Sequence, residues 1–170
     1  LKDIKFYELI GSIFDKTQRL RKLSGMLADD LNLNKEKVEM AASISKSDLC
    51  SDLVSEYPDL QGLMGKYFAL SQGFEEDVSN ALSDHYLPIG TSSLTPKKPI
   101  SYAIAIADKI DTLVGSFIIN EKPTSSKDPF ALRRSAIGLL RIIIDNKLNL
   151  KLRNLISYNI KLFQEQGVNN

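Results

Sequence analysis

The chain has 170 residues, with 22 Lys and Arg against 21 Asp and Glu, one histidine and a formal net charge of +1. That length suits one domain with an ordinary apolar core, and 43% hydrophobic with 25% charged residues excludes a disordered or fibrous chain. The lone Cys50 excludes an internal disulfide and fits a reducing compartment. No apolar run reaches the roughly eighteen residues of a membrane span and no signal-peptide pattern stands at the start, so the expectation is a cytoplasmic protein. A first residue of leucine rather than methionine suggests a piece of a longer chain.

The near-zero net charge hides an asymmetry. Residues 1–95 carry 10 Lys and Arg against 15 Asp and Glu, a balance of −5, whereas residues 120–170 carry 9 against 4, a balance of +5. Clustered cations, not overall pI, are what phosphate contacts need.

Apolar residues recur at three- and four-residue steps nearly throughout, which predicts helix. Ile13, Phe14, Leu20, Leu23, Leu27 and Leu31 make a first helix, and Gly11 leaves the first ten residues as a separate extended or connecting piece. Asn34 caps a second helix with Val38, Ala41, Ala42 and Ile44. A third runs from Ser47 to Tyr57 and stops at Pro58. Pro58-Asp59 restarts a helix through Leu63, Met64, Tyr67 and Phe68 that Gly73 closes. Another spans Phe74 to Leu87, and Ile89–Pro99 is a loop. Ile100–Ile119 is a long apolar helix whose only charges are Asp108, Lys109 and Asp111. Phe130–Asn146 and Leu148–Gln166 follow. The expected fold is all-α: a single domain of about seven helices over residues 1–170, without internal repeats.

The segment Pro123–Arg134 is the densest in signals. Asp128 is a good N-cap and Pro129 fits the first helical position, so Phe130, Ala131 and Leu132 enter the helix and Arg133 and Arg134 leave its first turn side by side. Cations there oppose the helix dipole, at about half a kcal/mol each, which suggests an anionic partner. Asp108 and Asp111, three residues apart, share a face of an apolar helix, where burying them is costly without partners. They are therefore candidates for structural ion pairs.

Catalytic signals are thin. With His85 the only histidine and Cys50 the only cysteine, a zinc site from this chain is excluded; a lone histidine is more often a capped or packed surface residue than a ligand. Asp48, Asp52, Glu56 and Asp59 could bind Mg²⁺ or Ca²⁺, but their spacing equally describes the wet face of a helix. No serine elbow, phosphate loop or dinucleotide fingerprint is present. Gly62 and Gly65, one turn apart, suit the close approach of a neighbouring element.

Several motifs occur in one order: Lys46-Ser47-Asp48-Leu49, Glu56-Tyr57-Pro58-Asp59-Leu60-Gln61-Gly62-Leu63-Met64-Gly65-Lys66-Tyr67, Asp84-His85-Tyr86-Leu87-Pro88, Ala107-Asp108-Lys109-Ile110-Asp111-Thr112-Leu113-Val114-Gly115 and Pro123–Arg134. Together they resemble the β subunit of the bacterial two-subunit glycyl-tRNA synthetase, over roughly residues 9–145. Ser125 stands where that family usually has glycine, and Tyr57-Pro58-Asp59 replaces a more usual Phe-Pro-Glu.

The resemblance implies an α₂β₂ enzyme that charges tRNA(Gly) with glycine. ATP, Mg²⁺ and the aminoacylation site belong to the α subunit; this chain has no cofactor of its own and partners the α subunit and tRNA, with no membrane. It also implies an HD-like helical region whose metal motif is degenerate. Lys46-Ser47-Asp48 would stand at the His-Asp place and Asp108 at the distant Asp, and the missing histidines argue against two-metal hydrolysis. Residues 147–170 would begin a linker or helix toward an anticodon-binding domain. The expected role is non-catalytic tRNA binding through Lys127, Arg133 and Arg134, with Lys66 and Arg141 behind them. Arg133 or Arg134 could instead pair with Asp108 or Asp111; adjacent helical residues diverge by about 100°, so each arginine could do a different job. The alternatives are an HD-type metal-dependent phosphohydrolase or a helical scaffold that docks the α subunit.

Overall fold

A short antiparallel hairpin opens the chain, β1 (Lys5–Tyr7) pairing with β2 (Gly11–Ser12). The computed structural model describes residues 1–7, 9–90, 92–125 and 127–168, and of residues 5–7 only the backbone. The extended piece expected at the start is this hairpin. It is tied down, because Ile10 is fully buried and the Ile13 amide donates to the Ile4 carbonyl.

Ser12 starts the first helix, α1 (Ile13–Asp30), through a reciprocal cap. Its hydroxyl accepts from the Asp15 amide while the Asp15 carboxylate accepts from the Ser12 amide. Asn34 caps α2 (Lys35–Ile44), accepting from the Lys37 amide as its position predicted. The helix expected over Ser47–Tyr57 is broken in two. A 3₁₀ turn covers Ser47–Cys50, and Ser51, whose hydroxyl accepts from the Val54 amide, starts the short α3 (Asp52–Glu56). Serine competes for backbone groups in this way and interrupts helices it does not cap. Pro58–Leu60 form a second 3₁₀ turn, and α4 (Leu63–Ser71) begins only after Gly62. There φ is +79°, and a β-carbon would lie 2.7 Å from the Tyr86 ring; only glycine fits both demands.

Next come α5 (Glu76–Asp84) and, beyond the 85–98 loop, α6 (Pro99–Ile118), α7 (Leu132–Asp145) and α8 (Leu152–Glu165). The result is an all-α domain with eight helices among the described residues. α6 is its axis, in contact with α1, α2, α5, α7 and α8, and its Ala103–Ala107 run is fully buried. Such an all-round apolar helix belongs in a core. In the last part of the chain, Leu155, Leu162 and Phe163 of α8 are buried in this core, with α8 packed on α1 and α6.

Candidate functional site

Two basic residues of α1, Lys16 and Arg19, lie one turn apart and are almost fully buried. They face the two acidic residues of α6 at the same spacing. Arg19 grips Asp111 with both arms of its fork, Nε to Oδ1 at 2.7 Å and Nη2 to Oδ2 at 3.1 Å, a geometry that guanidinium and carboxylate share. Lys16 Nζ bridges the two acids, 2.9 Å from Asp108 Oδ1 and 3.3 Å from Asp111 Oδ2, and also donates to Thr112 Oγ1 at 2.9 Å. α8 closes the group: Asn159 Nδ2 donates to Asp111 Oδ1 at 3.2 Å, Gln166 Oε1 accepts from Arg19 at 2.5 Å, and the Arg19 guanidinium lies 3.9 Å from the Phe163 ring centroid. Gln166 also donates to the Asp15 carbonyl at 3.1 Å, latching the end of α8 to the start of α1.

Asp108 has a second cation. Lys46, just past α2, places Nζ 3.3 Å from Asp108 Oδ2, 2.8 Å from His85 Nε2 and 4.0 Å from the Tyr86 ring centroid. His85 Nδ1 lies 3.1 Å from the Ala81 carbonyl. That acceptor demands the Nδ1–H tautomer and leaves Nε2 to accept from the Lys46 ammonium. The only histidine of the chain is therefore no surface residue; it is fully buried. Burial, and then the Lys46 charge, push its pKa well below the ordinary value, so it is neutral at pH 7. Burial acts on Asp108 in the opposite sense, raising its pKa, but Lys16 and Lys46 outweigh it and hold the carboxyl well below the usual range. Burial also opposes the charge of Lys46, yet Asp108 keeps its pKa raised.

This arrangement answers the question of a metal. At the place the His-Asp pair would occupy, Lys46 inserts an ammonium between His85 and Asp108, the two side chains nearest to a ligand set. Asp48 diverges from it: its Oδ2 accepts from the Gly62 amide at 2.6 Å. Gly65 allows that approach, since a β-carbon there would come within 3.3 Å of the Asp48 carboxylate. Asp52, Glu56 and Asp59 are exposed. Among the described residues no three His, Cys, Asp or Glu side chains gather to hold a metal ion, and a cation already fills the space between the best two. The residues do not fit a metal-dependent phosphohydrolase.

The partners of Asp108 and Asp111 thus come from α1 and the end of α2, not from the start of α7. Nor does α7 start where the sequence placed it. Asp128 does cap, its carboxylate accepting from the Leu132 and Arg133 amides at 2.8 and 3.0 Å; desolvation raises its pKa, but these amides together with the Arg133 and Arg134 charges hold it below the ordinary value. The helix itself begins three residues later than Pro129, at Leu132, because Ala131 takes a left-handed conformation with φ +51°. Ser126 lies outside the described residues. Arg133 donates through Nη2 to the Thr124 carbonyl and so braces the preceding loop. Arg134 and Lys127 are exposed, and the side chain of neither makes a hydrogen bond or ion pair among the described residues. Lys66, on α4, is half-buried. Arg141 is committed to the fold: its guanidinium donates to the Gly90 and Ser93 carbonyls at 3.1 and 2.8 Å, clamping the loop before α6.

Lys16, Arg19 and Asn159 were not singled out by their sequence context, and Lys46 only as part of a motif, not as a partner of Asp108. A usable signal existed in Lys16 and Arg19, a basic pair three residues apart inside an apolar stripe, matching Asp108 and Asp111 in spacing and opposite in sign.

The fold and site define a helical module with a self-neutralised charged core and a separate, exposed set of cations. A family model described as glycyl-tRNA synthetase beta subunit matches residues 1–170, and the chain belongs to that family. It is 46% identical over 169 residues to the glycine–tRNA ligase beta subunit of Colwellia psychrerythraea, covering 99% of this chain and 25% of the relative. It is 44% identical over 155 residues to that of Rhodospirillum centenum, covering 89% and 22%. The chain therefore spans about a quarter of the length of the curated relatives it matches.

Proposed function

We propose that this chain is a non-catalytic, tRNA-contacting module of the β subunit of a glycine–tRNA ligase, which charges tRNA(Gly) with glycine using ATP. The observation that carries the reading, beside the family, is the division of the cations. Lys16, Arg19 and Lys46 are spent on Asp108 and Asp111, whereas Lys127 and Arg134 stand exposed and unpaired, with Arg133 beside them. Exposed cations in a basic C-terminal third are suited to phosphate contacts that position an RNA without reading its bases. Lys66 is a secondary candidate; Arg141, already bonded twice, contributes by holding its loop. In this reading ATP, Mg²⁺ and the aminoacylation site belong to the α subunit, and the enzyme works in the cytoplasm. No helix among the described residues is long and apolar enough to cross a membrane.

The test is tRNA binding by the full-length enzyme as a function of salt. Each phosphate contact removed lowers the slope of log affinity against log salt by about one. Lys127→Ala and Arg134→Ala are each expected to flatten the slope by roughly that amount and weaken binding uniformly across tRNA sequences. An unchanged slope in both variants overturns the reading.

A second reading has its own observation. Ile137, Leu140 and Ile144 form one stripe on α7 and are 53%, 50% and 71% exposed, a face suited to docking another protein surface; the α subunit is the occupant proposed here. Leu140→Glu releasing the α subunit while the salt slope for tRNA stays intact would favour the scaffold role.

A further inference from the structure

Beside Asp108 the charged cluster opens into a cavity of about 420 Å³. Its walls are the 58–61 turn, the Tyr86–Ile89 segment, α6 at Asp108, Lys109 and Thr112, and α7 at Arg134 and Ser135. Its polar groups are unevenly committed. Thr112 is saturated, accepting from Lys16 and donating to the Asp108 carbonyl. Asp108 already has two ammonium neighbours. Lys109 is different: only 7% exposed, it donates to the Leu87 carbonyl at 2.8 Å and has two further N–H donors to place. Arg134 and the Ser135 hydroxyl have no hydrogen-bond partner among the described residues.

The charge count leans the same way. Four charged side chains line the cavity, Lys109 and Arg134 against Asp59 and Asp108, and Asp108 is already paired with Lys16 and Lys46. Arg134 and Asp59 are both exposed, so solvent screens them from each other. Burial lowers the pKa of Lys109 to about 8 against the pull of Asp108, with smaller pushes in the same direction from Lys46 and Lys16.

We infer that this cavity is a binding site for the phosphate group of a nucleotide, held by Lys109, Arg134 and Ser135, with the ribose and base against Pro58, Tyr86, Pro88 and Ile89. The cavity is too large for phosphate alone and falls in the range of small-molecule sites. Its lining combines apolar surface from Pro58, Tyr86, Pro88 and Ile89 with two cations, Lys109 and Arg134, and a nucleotide presents both kinds of surface. The phosphate can arrive on a free nucleoside monophosphate or on an unstacked nucleotide of an RNA. The inference does not rest on the tRNA reading, because the first source needs no RNA.

Arg134 is exposed and can be followed by its reaction with phenylglyoxal, read by peptide mass spectrometry on the full-length subunit. The probes are AMP, adenosine and a tRNA transcript, each at saturating concentration. AMP is expected to slow modification of Arg134 at least threefold and adenosine to leave it unchanged. In Lys109→Met, which keeps the buried stem, the protection is expected to vanish. Ser135→Asp, which adds a negative charge at the edge of α7 without touching the core, is expected to abolish it equally, and serves if Lys109→Met fails to fold. Protection by AMP identifies a free nucleotide. Protection by the transcript alone, lost in Ser135→Asp, identifies an RNA nucleotide. The site is overturned if neither AMP nor the transcript protects, if adenosine protects as well as AMP, or if protection survives in a folded variant. Transcript protection that survives in Ser135→Asp places RNA over Arg134 but outside the cavity, so the tRNA reading stands while this one falls.

Discussion

Two groups of charges, both readable as partners for each other, have opposite fates in this fold. Under α1, α6 and α8, Lys16, Arg19 and Asp111 are almost fully sealed from water and, with Asp108 at the cavity edge, satisfy one another. At the start of α7, Lys127 and Arg134 have water for a partner, and Arg133 has a loop carbonyl. The difference teaches that charge alone does not say where an ion pair forms. What decides is which faces the helices press together, since a buried charge must be matched and an exposed one need not be.

The sharpest way to break the comparison is Asp111→Ala. It leaves Arg19 and Lys16 buried without their acid, and removing one partner of a buried pair typically costs about 3–5 kcal/mol. The expected outcome is a melting midpoint lower by roughly 10 °C for a chain of this size, measured by calorimetry. Lys46→Met comes next. Losing a charge-assisted hydrogen bond in the interior is expected to cost about 1.5–3 kcal/mol, and the ring of His85 should titrate higher in NMR, because one of the influences holding its pKa down has gone.

The intact protein carries a related pH signature. The folded pKa of His85 is depressed, so between the unfolded value of about 6.5 and that lower one the unfolded chain binds the extra proton. Stability is thus expected to fall as pH drops below about 6.5, with a limiting slope of about 1.4 kcal/mol per pH unit. Asp108, also depressed, adds its own loss only below about pH 4. Denaturant titrations from pH 8 to pH 4 check this; a flat profile between pH 6.5 and 5 would contradict a buried neutral imidazole.

Changes at the start of α7 should be far smaller. Asp128→Ala removes a cap, with an expected fall of about 2–4 °C in the melting midpoint. Ala131→Gly goes the other way. It relieves a left-handed alanine, and a gain of about 0.5–1 kcal/mol in denaturant unfolding is expected. If Asp128→Ala proved as damaging as Asp111→Ala, the contrast between sealed and open charges would collapse.

Much of the helical layout was legible. The 3.6-residue pattern located α1, α2, α6 and α8 because their apolar stripes are long, and Asn34 marked the start of its own helix. The 47–62 region was not, because short 3₁₀ turns have no periodicity to read and their geometry is decided by contacts such as that of Asp48 with the Gly62 amide. Asp128 was a correct cap on a misplaced helix: one residue in a left-handed conformation moved the start to Leu132, and nothing in Ala131 announces that conformation. Of the site, the need of Asp108 and Asp111 for partners followed from burial energetics. Which cations met that need depended on helix packing, and Lys46, His85 and Asp108 lie too far apart in sequence for spacing to join them.

The latch between Gln166 and the Asp15 carbonyl, reinforced outside by Lys22 with Glu165 at 2.8 Å, has a consequence for how such a module can sit in a longer polypeptide. The strand of chain that enters α1 and the one that leaves α8 pass the same spot. A unit closed in this way keeps the start of its first helix and the end of its last one together wherever it sits in that polypeptide. Drawing α8 away from α1 would load the Gln166–Asp15 and Lys22–Glu165 contacts first, and with them the bond from Arg19 to Gln166 that steadies the Arg19–Asp111 fork.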